Sequence, residues 1–141
     1  MTEAELVAKK LAVIERSLAE LRALAHADRI EEDVRERRFI EHTLQIAIQA
    51  ALDVASHVVS DDHLGEPRTN KELFELLGNA GWFPATLQRP LVAMAGFRNV
   101  LVHGYDDVDL AVVRDVVEHR LGDLEAFVAA VRRRLPSVSD P

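Results

Sequence analysis

The sequence predicts an all-α fold, an up-and-down helical bundle with three long helices and shorter helices in the middle of the chain. Two observations predict it. Hydrophobic residues make up 48% of the chain and are mostly Ala, Leu, Val and Ile, while aromatics are only 5% and Gly and Pro are few; that composition favours helices over a turn-rich sandwich. The apolar residues also recur at steps of three and four, the period of a helix with one buried face. At 141 residues the chain suits a single domain, 1-141, with residues 1-2 and 136-141 expected to fray.

Each element has its own signal. Thr2 and Glu5 form a capping box, after which Val7, Leu11, Ile14, Leu18 and Leu21 mark a helix from about Glu3 to about Leu24. The charged run "AHADRIEEDVRERR" holds a break, and Ile40, Leu44, Ala47, Ala51, Val54 and Val58 then carry a second long helix to about Ser60. "DDHLGEPR" reads as a loop, Thr69 and Glu72 as a second capping box, and Gly78 as the close of the short helix that follows. Pro84 and Pro90 each suit a first helical turn. They predict a short helix near Ala85 and a main one from Pro90 to His103, with Gly104 as its left-handed cap. Asp107 or Asp109 can cap the last helix, whose stripe runs through Val113, Val117, Leu121, Leu124, Val128, Val131 and Leu135. The arginines at 132, 133 and 134 then read as a solvated helix end.

Composition also limits function. The chain has no cysteine, which removes disulfides and thiolate metal sites and suits a reducing compartment. The first residues are amphipathic, without the apolar run of a signal peptide, and no stretch approaches the ~20 apolar residues that span a bilayer. The expectation is a cytoplasmic protein with no membrane partner. A net charge of −7 opposes any large nucleic-acid surface, because phosphate binding rests on clustered cations.

The informative stretch is "GFRNVLVHGYDD", residues 96-107. At about 100° per residue, Met94, Phe97, Val100 and Leu101 share one side of the helix, expected to face the core. Val92, Gly96, Asn99 and His103 share another. This second stripe is narrow and polar, with a glycine that permits close approach of another backbone. Arg98 stands at its border, its stem long enough to carry the guanidinium around. A plainer reading stays open: His103 complements the helix dipole, Gly104 caps the helix and Tyr105 packs back on Val100 or Leu101. Elsewhere, His57, Asp61, Asp62 and His63 have metal-ligating side chains but sit where a helix runs into a polar loop. Asp106, Asp107 and Asp109 near His103 are explained by turn and capping duties. His26, His42 and His119 show no partner spacing, and no phosphate loop or nucleophile elbow is present. No metal site and no cofactor are expected.

"RNVLVHGY", Arg98 to Tyr105, resembles the arginine, four residues, histidine, any residue, tyrosine signature of the HepT-like branch of the HEPN-domain ribonuclease toxins. The genes of that branch are paired with those of a minimal nucleotidyltransferase antitoxin. "RRFIEHTLQIAIQAALDVASHVVS", "TNKELFELLGNAGWFP" and "LVAMAGFRNVLVHGYDDVD" resemble its long helix, following segment and signature helix, so the likeness covers about Arg37 to Leu110. It implies a HEPN-type bundle and a metal-independent endoribonuclease toxin of a type VII-like toxin-antitoxin pair. It implies a homodimer whose cleft forms where two signature helices meet, with Arg98 and His103 catalytic and Asn99 supporting. Val92, Gly96 and Asn99 would line the dimer interface. The partner antitoxin would neutralise the toxin by AMPylating Tyr105.

The residues suit that chemistry. RNA is cut without a metal when its own 2′-hydroxyl attacks the adjacent phosphate, which needs a proton acceptor and a cation for the added negative charge. Histidine supplies the first and the arginine fork the second, with Arg89 and Arg68 as nearby cations for an otherwise acidic protein. The alternative is a non-catalytic helical binding module or partner subunit of a nucleotidyltransferase. RNA cleavage in EDTA separates the two.

Overall fold

A computed structural model describes residues 3-104 and 108-135. Helix α1 spans Glu3–Leu24 and buries Val7, Leu11, Ile14, Leu18 and Leu21, the stripe that its sequence spacing predicts. A short 3₁₀ turn, Ala27–Arg29, leads to α2, Val34–Asp61. The two helices run antiparallel, since Lys10 pairs with Asp53 at 3.0 Å and Glu3 with His57 at 3.0 Å. Helix α2 begins earlier than its apolar period suggests. Asp33 caps it by accepting from the backbone of Arg35 and Glu36, and the Arg37–Glu41 pair at 3.8 Å supports its first turns. A turn held by capping and charge alone is invisible to hydrophobic periodicity.

Helix α3, Asn70–Asn79, is capped as expected: the Thr69 hydroxyl accepts from the Glu72 amide at 3.2 Å, while the Glu72 carboxylate accepts from the amide of Arg68. It ends one residue past Gly78. The left-handed residue is Gly81, φ 81°, and the amides of Gly81 and Trp82 close back on the carbonyls of Gly78 and Leu77, a Schellman motif. Gly78 serves closeness instead: a Cβ there would meet Gln88 of the next helix at 2.2 Å.

The two helices expected around Pro84 and Pro90 are one, α4, Ala85–His103, with Pro84 as its N-cap. Pro90 sits one turn in, where its missing amide deletes a single bond that packing of Leu87, Leu91, Met94, Ala95 and Phe97 offsets. Gly104 also differs from expectation. Its φ of −78° is right-handed, and glycine fits because a Cβ would lie 2.5 Å from the Val100 carbonyl oxygen.

The last stretch divides into α5, Leu110–Asp115, a π segment, Val116–Arg120, and α6, Leu121–Arg134, with Asp109 as the cap of α5. The reason lies in the spacing. Val116, not the expected Val117, is the buried residue here, Val117 being half-buried, and the step of five from Val116 to Leu121 is the spacing that a wider π turn brings onto one face. Helix α6 returns antiparallel to α1 through Arg22–Glu125 and Glu15–Arg132, each 2.7 Å. Arg132, Arg133 and Arg134 are all exposed, as the solvated reading expects, and Arg134 in addition lies 4.1 Å over the Trp82 ring. Buried side chains of all these helices join one core, centred on Phe127, which meets Phe74 and Phe83 edge to face. Among the described residues no helix is long and apolar enough to cross a membrane.

Candidate functional site

Helix α4 carries the polar stripe, and its exposure follows the stripe more than the expected core face. Asn99 and His103 are exposed, while Val92 and Gly96 are half-buried. Val100, expected in the core, is 46% exposed. Met94 and Phe97 are buried as expected, and the buried side extends through Leu87, Leu91 and Ala95. In helical direction Arg98 falls on that buried side, one turn beyond Met94 and Ala95. The difference arises because α2 and α3 together cover α4 from a direction its own period cannot specify. Val100 thereby joins the open stripe and gives it an apolar member.

Arg98 is half-buried, and its Nε is shielded from solvent with no hydrogen-bond partner. Its Nη1 donates to Asn99 Oδ1 at 3.5 Å, at the outer limit of such a bond, and Asn70 Nδ2 donates to the same oxygen at 3.4 Å. Among the described residues no carboxylate pairs with Arg98. A half-buried arginine without a counter-charge is poised for an anion from outside, since partial burial makes an unpaired charge costly. Asn99 thus orients the arginine, and Asn70 at the start of α3 steadies Asn99. Lys71, next to it, lies across Gly96: a Cβ on the glycine would come 2.9 Å from Lys71 Cε and 3.4 Å from Nζ. Asn70 and Lys71 are contributions that the sequence reading missed, because only the docking of α3 on α4 brings them there.

His103 is exposed in the last turn of α4. Five residues from Arg98, it leaves the helix about 140° from that residue's own direction, while the Arg98 guanidinium turns toward Asn99 on the stripe that His103 shares. Tyr105, Asp106 and Asp107 lie outside the described residues. Arg89 is exposed near the opposite end of α4, and Arg68 is exposed just before α3. Among the described residues no group of three His, Asp or Glu side chains is placed to hold a metal; His57 instead pairs with Glu3.

Fold and site together define an all-α bundle whose signature helix presents an arginine without a counter-charge, an exposed histidine and an open polar stripe. The family model for HepT-like ribonucleases matches residues 14–131, and the chain belongs to that family. It is 27% identical over 129 residues to the mRNA nuclease HepT of Shewanella oneidensis, covering 91% of this chain and 97% of that protein. It is 31% identical over 100 residues to the tRNA nuclease HepT of Aphanizomenon flos-aquae, covering 71% of this chain and 68% of that one. A solved structure of the tri-AMPylated Shewanella oneidensis HEPN toxin with its MNT antitoxin superposes with a TM-score of 0.85 at 27% identity, over 95% of this chain and 100% of that one.

Proposed function

We propose that this chain is the endoribonuclease toxin of a toxin–antitoxin pair and that it cuts RNA at a cleft between two copies of α4, without a metal. The observation that carries the reading is Arg98: a half-buried arginine, oriented by Asn99 and lacking a carboxylate among the described residues, on the segment that the ribonuclease family matches. The 2′-oxygen bonds to phosphorus as the bond from phosphorus to the 5′-oxygen breaks. His103 takes the 2′-hydroxyl proton, and water donates a proton to the leaving 5′-oxygen. The products carry a 2′,3′-cyclic phosphate and a free 5′-hydroxyl. Arg98 stabilises the charge that builds on the phosphate.

A two-fold axis brings two copies of α4 together, so that the arginine of one chain works with the histidine of the other. The open stripe of Val92, Gly96, Asn99 and Val100 supplies the contact. The cognate nucleotidyltransferase antitoxin neutralises the toxin by adding AMP to Tyr105, two residues past His103, where the added phosphate competes for the cation that the RNA phosphate needs. The test is cleavage of labelled RNA in EDTA by wild type, Arg98→Ala and His103→Ala. Wild type is expected to cut and both variants to lose activity at least a hundredfold, in keeping with the loss of a catalytic group. Intact RNA with the wild type would favour the non-catalytic binding module.

A further inference from the structure

Beside the signature helix lies a groove of about 690 Å³ between the first half of α2 and the end of α4. Its α2 wall carries Arg37, Arg38 and His42, and its α4 wall is Leu101 and Val102. These two leave the helix about 60° and 40° to either side of the direction of Arg98, one turn further along. Arg98 thus leaves α4 between them, one turn before the groove, and its guanidinium turns aside toward Asn99. The groove lies on a different face from the stripe of Asn99 and His103.

The charge of the groove runs against that of the chain. Two arginines and one glutamate, Glu41, line it, whereas the protein as a whole carries −7. Glu41 is engaged by Arg37 at 3.8 Å. Arg38 is exposed and has no carboxylate partner among the described residues, and His42, one turn on, is exposed as well. Half-buried Phe39 adds an aromatic edge. An unpaired arginine with a histidine one turn on and an aromatic side chain beside it, close to Arg98 along α4, suits a short stretch of a single nucleic-acid strand.

We infer that this groove binds the RNA strand next to the scissile phosphate, with Arg38 and His42 holding successive backbone phosphates. The inference rests on the ribonuclease reading of Arg98. It resolves the conflict between an acidic protein and a polyanionic substrate: the cations need only line one short track, and they come from α2. Affinity is then modest and salt-sensitive.

Binding is measured by fluorescence anisotropy with a 2′-O-methyl RNA of about twelve nucleotides, a length within the span such tracks cover and one that 2′-hydroxyl attack cannot cut. Arg38→Ala is expected to weaken binding about tenfold and to lower the slope of log affinity against log salt by about 0.7. Arg38→Lys should recover most of the loss. Arg133→Ala, an exposed arginine on α6, should bind as wild type. The loss of cleavage by Arg38→Ala should shrink as the substrate is shortened to a dinucleotide. If wild type cuts RNA in EDTA while Arg38→Ala binds and cuts it equally well, the groove is refuted and the nuclease reading stands. A change in oligomeric state on light scattering for Arg38→Ala would make the groove an interface between chains and also overturn the inference. Wild type that neither binds nor cuts RNA would remove both.

Discussion

Arg98 and His103 sit five residues apart on one helix and leave it about 140° from each other, with Arg98 half-buried and His103 exposed. The Arg98 guanidinium turns toward Asn99 on the stripe that His103 shares, and the proposed working pair is the arginine of one chain with the histidine of its two-fold mate.

Mixed dimers should therefore recover activity. Arg98→Ala and His103→Ala are each expected to be inactive. When mixed and allowed to exchange subunits, half of the dimers are mixed and each holds one intact composite site, which restores about one quarter of wild-type activity. A mixture that stays inactive after native mass spectrometry has shown exchange would place Arg98 and His103 of one chain in the same site.

The stripe should be the contact between copies. Val100 is 46% exposed, so Val100→Asp is expected to leave helical content unchanged and, in an isolated chain, to shift stability by less than about 0.5 kcal/mol. In the pair it places two carboxylates near the axis. Light scattering should then report half the wild-type mass, and cleavage should disappear. Gly96→Leu is the milder probe, because on its own chain it first displaces the flexible end of Lys71. A wild type that is monomeric, or a Val100→Asp protein that stays dimeric, would move the interface elsewhere.

Asp123 gives the fold a pH dependence of its own. One of its carboxylate oxygens is shielded without a hydrogen-bond partner, and burial pushes its pKa up, only partly countered by the charge of Arg120. A raised folded-state pKa means that this carboxyl favours folding below its ordinary range and loses that contribution as pH rises through the shifted value. Asp123→Asn should thus melt higher than wild type at pH 7. The difference between the two proteins should close as the pH falls below about 4. A gap that is constant with pH would mean that ionisation is not its source.

Tyr105 is tested by mass. Co-expressed with the neighbouring nucleotidyltransferase, wild type is expected to gain adenylyl-sized increments and Tyr105→Phe none, and the modified fraction should no longer cut RNA. Equal increments on both proteins, or a modified fraction that still cuts, would discard this mode of control.

The legible parts of the molecule were those written in local chemistry. The buried stripe of α1, the Thr69 cap of α3 and the polar row from Val92 to His103 each depend on residues within a few turns of one another. What escaped notice depends on docking. Val100 left its expected core face because α2 and α3, not the period of α4, decide which side is covered. Lys71 reaches Gly96 only across a helix contact. The first turns of α2 carry no buried residue before Ile40, and Pro90 reads as a helix start until packing shows the turn before it.

The π segment also sets an angle. A wide turn of this kind holds one residue more than an α-turn, and each residue is worth about 100° around the axis. The face that α5 buries is thereby turned about the helix axis relative to the face that α6 buries. On α5, Arg114 clasps the carbonyls of Ala27 and Asp28 and the carboxylate of Glu31. Just ahead of it, Val108 and Leu110 form a rim of the groove along α2. A surplus residue remote from Arg98 in sequence is thus the gauge that sets where that rim stands.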